Sequence, residues 1–428
     1  MGKPRLVRIA NRGSFPRWRL EGVGSTSKRA KMDDTSQGGW FGSGTKIAPI
    51  AALALGMKVW ITSTDAEGTY LVTYDVLRRK RDGEDDSRVV RVYHAPDGSE
   101  ARRDVTDFSP DSFMNWSKPI GDDDKKEFRV WREYFRNAKD ADPNSPYVSE
   151  VDRVVTAKAD VTGVFLTRTA EYAAIMRDVN RYFKYLSTDK AFFIVPGIGQ
   201  FWPKSEKGVT RLFSLGTMAY CNDCKRANWS SLYDYSFDNK ELMSEERTFE
   251  NMNKVFLELA RMLCAVASAQ LARALLEAMF DGKAELERIA VAQVGSKWPI
   301  SGKGHWKAAW HAIHGDDAVI GVGNWADQHV RVSFGKNPVQ LSSHTLREFL
   351  KLCGVQDSSD VIPASDRMGY RVVMPTPSEK AVLDEARAIL LQRHPEMRDV
   401  PVRVYEALDR QTAQSARGFC MPPTPPFK

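Results

Sequence analysis

A glycine-rich segment, GGWFGSGTK at residues 38–46, leads directly into an apolar, alanine-rich segment at residues 47–55. Closely spaced glycines allow backbone N–H groups to approach a phosphate group, and the N-terminus of a helix favours negative charge. Lys46 would add a positive charge to the same anion. We therefore predict that residues 47–55 form a helix and that the loop in front of it binds phosphate.

The residues upstream add a strand, a turn and a second loop to this segment. Residues 6–10 are typical of a short strand, and Asn11-Arg12-Gly13 after them is a turn signal. Residues 22–44 are rich in Gly, Ser and Thr, so we predict a long loop that contains the basic pair Lys28-Arg29. Lys28 is a second candidate to place a positive charge near the anion.

This order and spacing resembles the GHKL ATP-binding fold of gyrase B, MutL and histidine kinases. In that family an Asp-x-Gly turn meets the adenine, a lid follows, and a Gly-x-x-Gly-x-Gly stretch closes over the phosphates. Residues 9–13 look like the turn, residues 22–31 like the lid and residues 39–44 like the phosphate loop. Residues 27–29 and 41–46 are similar to the Thr-Ser-Lys-Arg … Gly-x-Phe-Gly-x-Gly-x-Lys signature of bacterial and phage GHKL-like proteins.

The resemblance covers residues 6–63 and implies a partial GHKL-like α/β sandwich, with ATP and Mg²⁺ as cofactors. It places two residues near the base and the remainder at the phosphates. The implied nucleotide-binding residues are Asn11, Gly13, Lys28, Gly39, Gly42, Gly44, Thr45 and Lys46.

Two departures from the family pattern bear on catalysis. Asn11 stands where the family has an Asp; its amide oxygen still accepts a hydrogen bond, but it carries no charge. The family's first helix carries a Glu that activates water and an Asn that binds Mg²⁺, and it should precede the adenine turn. Only ten residues lie there, without a Glu-x-x-x-Asn helix. We therefore expect an ATP-binding switch or scaffold with weak or no hydrolysis, unless a partner donates the helix or the chain is truncated.

The sequence as a whole predicts an α+β protein, which we divide into four regions. Residues 1–120 form the nucleotide-binding region, residues 121–243 a second α/β region, residues 244–295 a long scaffold helix, and residues 296–428 a C-terminal α/β region with a proline-rich tail. The predicted helices lie at residues 122–142 (exposed, with one apolar face), 170–186, 244–280, 346–352 and 378–393. The predicted strands include residues 58–63 and 69–76 around a turn at 65–68, and residues 89–94, 318–322 and 330–334.

The charge distribution suggests a second function class. The net charge is +7, and residues 1–31 hold nine Lys or Arg against one acid, Glu21. Such a segment suits contact with phosphate, either of a nucleotide or of a nucleic-acid backbone, although a solvated basic face is equally compatible. The alternative function is therefore a non-enzymatic nucleic-acid-binding or protein-binding scaffold.

The composition of the chain limits the cellular compartment and the kinds of partner that we expect for the protein. With 42% apolar and 27% charged residues, the 428-residue chain is typical of a soluble globular protein. We expect no membrane span, because no run of 18 uncharged apolar residues occurs. Five cysteines do not make a disulfide framework, so we expect a reducing, cytoplasmic location. A protein partner or a homodimer stays open.

Three further clusters have weaker functional interpretations. Cys221 and Cys224 form a lone CxxC, and a zinc site needs two more ligands. His305, His311 and His314 lie near two aspartates, without a recognised metal-ligand spacing. Residues 201–211 combine aromatic and basic side chains, but a loop between strands explains them better than a nucleic-acid patch.

Overall fold

The computed structural model describes residues 5–20, 44–81, 84–95, 97–104, 127–141, 147–156, 158, 160–223, 229–243, 248–295, 298–323, 325–362, 370–373, 375–395, 398 and 404–407. The chain divides into two compact units. The first comprises residues 1–265 with 278–293, and the second comprises residues 266–277 with 294–428.

A seven-stranded sheet in the order β5-β4-β3-β2-β7-β1-β6 organises the first unit, and all its neighbouring strands are antiparallel. Its strands are β1 (Leu6–Arg12), β2 (Val59–Asp65), β3 (Gly68–Arg81), β4 (Glu84–His94), β5 (Glu100–Asp104), β6 (Tyr147–Val151) and β7 (Val161–Thr167). The predicted hairpin between β2 and β3 is present, with Asp65 opposite Gly68. The predicted boundary at residue 120 falls between strands of this one sheet, because β6 and β7 complete it.

Three helices accompany this sheet: α1 (Gly44–Ala54), α2 (Phe128–Ala141) and α3 (Ala170–Arg177). Helix α1 packs against α2, β2 and β3, and α2 packs against α1, β1 and α3. One apolar cluster joins alternate strand residues such as Val7 and Ile9 to helix residues such as Ala48 and Trp131. The first unit is thus mixed α+β, with helices packed on an antiparallel sheet.

Helix α2 differs from its prediction as an exposed helix with one apolar face. The helix is buried on nearly all sides, and four charged side chains are among its buried residues: Arg132, Glu133, Arg136 and Asp140. Buried charges need partners. The Arg136 guanidinium lies 2.9 Å from Asp140 Oδ1 and donates to the Leu215 carbonyl at 2.6 Å.

A second sheet of the first unit has the order β11-β10-β12-β9-β8 and contains one parallel pair, β10 with β12. Its strands are β8 (Phe193–Val195), β9 (Gly199–Trp202), β10 (Val209–Ser214), β11 (Thr217–Asp223) and β12 (Asp234–Phe237). Short 3-10 helices lie at Arg17–Leu20, Val179–Arg181, Lys184–Leu186 and Lys240–Leu242.

In its described part, residues 248–295, the region predicted as one long helix contains three helices: α4 (Met252–Cys264), α5 (Ala269–Phe280) and α6 (Glu285–Val291). Helix α4 ends at the cap Ala265, and the Ser268 hydroxyl accepts a hydrogen bond from Leu271 N at 3.3 Å to begin α5. A serine that caps a new helix ends the run without glycine or proline.

The second unit contains short strands and helices. They are α7 (Lys303–His314), β13 (Ala318–Ile320), α8 (Trp325–Phe334), β14 (Asn337–Val339), α9 (His344–Leu352), β15 (Tyr370–Val373), α10 (Pro377–Arg393) and β16 (Val404–Ala407). Strands β13 and β14 pair in parallel across α8, and β15 pairs with β16 antiparallel. None of the described helices is long and apolar enough to cross a membrane.

The strand predicted at residues 330–334 is wrong, because these residues end helix α8. Val330, Val332 and Phe334 alternate as in a strand, but only Val330 is fully buried, while Val332 is 44% exposed. The first turn of α8 contains Asp327, whose carboxylate accepts hydrogen bonds from the N–H groups of Val322 and Gly323. These bonds stabilise a helix start that outweighs the local β-propensity.

Candidate functional site

The predicted base turn lies at the end of β1. The strand extends through Asn11 and Arg12, so the turn begins only at Gly13, which has φ +107°. Asn11 is opposite Thr162 of β7, and its amide donates to the Arg12 carbonyl at 2.9 Å in an exposed position. Gly13 N donates to the Asp160 carbonyl at 2.7 Å. Asn11 and Gly13 therefore lie close together at one end of β1, the strand next to the edge strand β6.

A hydroxyl network holds the residues after this turn against the sheet. Thr162 Oγ1 donates to the Gly13 carbonyl at 2.8 Å and lies 2.8 Å from Ser63 Oγ. The Ser63 hydroxyl also accepts from Phe15 N at 2.8 Å. Both hydroxyls are buried, so these bonds are made in a medium of low dielectric constant. The path of residues 13–15 is therefore held by β2 and β7.

The predicted phosphate-binding residues are described only in part. Lys28, Gly39 and Gly42 lie outside the described residues. Gly44 is the first residue of α1, and Thr45 and Lys46 belong to its first turn. Helix α1 thus begins inside the predicted phosphate loop, three residues earlier than predicted. Its first turn contains no acidic residue, so the positive end of the helix dipole is not neutralised there by an acidic residue of its own.

Helix α2 carries a motif that the sequence argument missed. Glu133 and Asn137 are four residues apart and therefore lie on the same face of α2. The helix packs against both α1 and β1, the elements that carry the predicted phosphate and base residues. Glu133 is 1% exposed and Asn137 is half-buried. The Glu-x-x-x-Asn spacing is present in the sequence, but it follows the base turn, whereas the family pattern places it ahead of that turn.

The surroundings of Glu133 are charged and poorly hydrated. Arg132 Nε lies 3.9 Å from Glu133 Oε1, and both side chains are buried. Burial raises the pKa of the neighbouring Tyr134 phenol well above its usual value, and the charges of Tyr74 and Glu133 raise it further. Electrostatic interactions are stronger in such a place than at the surface.

Two basic residues near the N-terminus are already paired with acids. Arg5 Nη1 lies 3.6 Å from Glu150 Oε2. Arg17 Nε lies 3.2 Å from Asp65 Oδ2, and its guanidinium also contacts Glu67. Part of the positive charge of residues 1–31 is therefore neutralised locally.

The other clusters of the sequence have structural roles or lie partly outside the described residues. Cys221 is buried in β11, and Cys224 is not described. The His314 ring lies 4.4 Å from the Trp310 ring, and burial lowers the pKa of His314. Within the described residues, no group of three His, Cys, Asp or Glu side chains is placed to hold a metal ion.

Residues 201–211 lie at the end of β9, in the connection to β10, and in the start of β10. Arg211 is fully buried, with its Nη2 2.6 Å from Glu206 Oε2, and Lys204 Nζ donates to Ser231 Oγ at 2.6 Å. This agrees with the predicted loop between strands.

No protein-family model matches this chain, and no curated protein or solved structure matches it at a significant level. The GHKL resemblance therefore depends on the sequence motifs of residues 6–63.

Proposed function

We propose that the first unit binds Mg·ATP in the manner of the GHKL family, and that α2 takes the part of the family's first helix. The observation that carries this proposal is the packing of α2 against both α1 and β1, with Glu133 and Asn137 on one face of α2. A helix that lies later in the chain but beside these two elements supplies the residue types that the first ten residues lack.

The proposed roles follow from the chemistry of each group. Asn11 and Gly13 would meet the base, and the glycine loop with its lysines would hold the phosphates through N–H groups and positive charge. The amide oxygen of Asn137 is a neutral ligand of the kind that coordinates Mg²⁺. The Glu133 carboxylate would orient a water molecule and accept its proton. Mg²⁺, when bound, neutralises phosphate charge.

This assignment changes the expectation for hydrolysis. The sequence alone predicts weak or no hydrolysis, because no Glu-x-x-x-Asn helix precedes the base turn. With α2 in that role, we propose a nucleotide-responsive switch that hydrolyses ATP. The Glu133 carboxylate is 1% exposed, so the reaction would take place away from bulk water.

The test is to measure Mg·ATP binding by calorimetry and hydrolysis by phosphate release for the same proteins. Lys46→Ala should weaken binding at least about tenfold, because it removes a charge from the phosphate site. Glu133→Gln keeps the shape of the side chain and should retain binding while hydrolysis falls about a hundredfold or more. Glu277→Gln, the same change at a helix position whose side chain is 46% exposed, is the matched control and should leave both unchanged.

Unchanged binding in Lys46→Ala would refute the phosphate site. Unchanged hydrolysis in Glu133→Gln would refute the role of α2. Absence of ATP binding by the unaltered protein would leave the nucleic-acid scaffold, which the basic residues 1–31 favour and which predicts binding that falls steeply with salt. The pairing of Arg5 and Arg17 with acids counts against that alternative.

A further inference from the structure

Helix α10 is exposed along its whole length. Its side chains are all described, and none of them is buried. Val382 is 66% exposed, Ile389 53% and Leu390 43%. A capping box between Thr376 and Glu379 stabilises the first turn. A well-capped helix with a row of exposed aliphatic side chains is typical of an interaction surface.

The exposed row follows the spacing of a heptad repeat. Glu379, Val382, Ala386, Ile389 and Arg393 are separated alternately by three and four residues, so they share one face of α10. This face, which we call the α10 stripe, is acidic at its first end, aliphatic in the middle and basic at its last end. It spans about 21 Å.

The half-buried residues of α10 lie elsewhere on the helix. Leu383, Arg387 and Leu391 are partly covered, and their spacing of four residues places them together on a face that adjoins the stripe. Every residue of the α10 stripe is exposed, whereas this adjoining face is partly covered by its own chain.

The α10 stripe is complementary to its own reverse. Glu379 lies seven residues before Ala386, and Arg393 lies seven residues after it. Val382 lies four residues before Ala386, and Ile389 and Leu390 lie three and four residues after it. Turning the stripe end over end about Ala386 therefore places acid opposite base and aliphatic opposite aliphatic, with an offset of at most about 1.5 Å along the axis.

We propose that the α10 stripe joins two copies of this chain in an antiparallel helix pair, with a two-fold axis at Ala386. A two-fold interface must be complementary to itself, and the reversed stripe meets that requirement. Each Glu379 then lies opposite Arg393 of the second copy. Glu379 uses Oε2 to accept hydrogen bonds from Thr376, so Oε1 is left for the arginine.

Charge decides the orientation. A parallel pair would place Glu379 against Glu379 and Arg393 against Arg393, and both contacts are repulsive. An antiparallel pair replaces them with two ion pairs and aligns the helix dipoles in opposite directions. The interface does not involve the proposed nucleotide site, so the two proposals can fail independently.

The first experiment measures the mass of the full-length protein by sedimentation equilibrium from about 1 to 100 µM, because a contact between two single helices belongs to the small and weak class of protein interfaces. The unaltered chain should change from monomer to dimer across this range. Val382→Asp places two carboxylates in each interface and should raise the dissociation constant about a hundredfold. Val155→Asp, at a valine that is 48% exposed in the first unit, is the matched control and should leave the constant unchanged.

The second experiment locates the axis by disulfide formation, in a background in which Cys224 and Cys420 are replaced by Ser. Ala386→Cys should cross-link to itself under mild oxidation, because the two-fold axis brings the two copies together. Ala388→Cys is also exposed, but it faces away from the stripe and lies two residues from the axis, so it should cross-link at least about tenfold more slowly.

The orientation is tested by Val382→Cys. In the antiparallel pair the two copies of residue 382 are separated by about 12 Å along the axis, so this variant alone should not cross-link. The double variant Val382→Cys/Leu390→Cys should cross-link, because residue 382 of one copy lies opposite residue 390 of the other. The proposal is overturned by a monomer at every concentration, by a dimer that Val382→Asp does not weaken, or by cross-linking of Val382→Cys or Ala388→Cys as fast as Ala386→Cys.

Discussion

Lys184 and Asp234 form a buried ion pair in the first unit, and replacing the lysine should destabilise the fold more than the same change at an exposed ion pair. Lys184 Nζ lies 2.9 Å from Asp234 Oδ2, with side-chain exposures of 2% and 0%. The ammonium group also lies 4.5 Å from the centre of the Phe213 ring. Burial lowers the pKa of Lys184, although Asp234 raises it. The charge is therefore maintained at a desolvation cost.

Lys184→Met keeps the length of the side chain and leaves Asp234 buried without its cation. Asp234 Oδ2 retains two donors from Ser205, the backbone N at 3.1 Å and the hydroxyl at 2.6 Å. The free energy of unfolding should therefore fall by about 3 kcal/mol, the low end of the range for removing one partner of a buried ion pair. At about 2 °C per kcal/mol for a unit of this size, the melting temperature should fall by about 6 °C.

The assay is thermal unfolding followed by tryptophan fluorescence. Lys283→Met is the control, because Lys283 Nζ lies 2.7 Å from Asp281 Oδ2 with side-chain exposures of 71% and 58%. Its loss should cost at most about 0.5 kcal/mol. The double variant Lys184→Met/Asp234→Asn should cost at least about 2 kcal/mol less than the sum of its singles. Equal shifts for the two lysine variants, or additive losses in the double variant, would refute the reasoning.

Three further predictions concern the packing and titration of the described residues. Burial raises the pKa of Glu287, so the folded state holds this proton to higher pH than the unfolded chain and loses stability as the pH rises above about 4.5. Glu287→Gln should therefore reduce the fall in melting temperature between pH 5 and pH 7. Gly199→Ala should cost about 2 kcal/mol in denaturant unfolding, because its Cβ would lie 2.5 Å from the Ser236 carbonyl and 2.9 Å from Met262 Sδ. A Cβ added at Gly304 in α7 would have no atom within 4 Å, so Gly304→Ala should stabilise the second unit by about 0.5 kcal/mol in the same assay.

The sequence predicted correctly those turns and helices whose formation depends on neighbouring residues in the chain. The turn between β2 and β3 needs a residue with positive φ, and Gly68 at +109° supplies it. Helix α1 follows the glycine-rich segment as its alanine content indicates. The break between α4 and α5 was missed, because a Ser268 cap leaves no glycine or proline in the sequence.

Long-range packing accounts for most of what the sequence did not reveal. The charges of α2 resemble those of a solvated helix, and only the packing of α2 against α1 and β1 shows that Arg132 and Glu133 are buried. The Glu133-to-Asn137 spacing is present in the sequence, but the family pattern expects this helix ahead of the base turn, and α2 follows it. Spatial proximity, rather than chain order, determines which residues can serve one site.

The position of β1 inside the large sheet has a consequence for the time course of synthesis. Leu6 pairs with Val151 on one side and with Thr167 on the other, partners that are made about 145 and 160 residues later. At about 5 to 20 residues per second, a ribosome needs about 10 to 30 s to supply them. The β2–β5 hairpins have local partners and can form within that interval. Strand β1 therefore emerges with both edges unpaired, and the sheet is completed only when β7, which joins β1 to β2, has been synthesised.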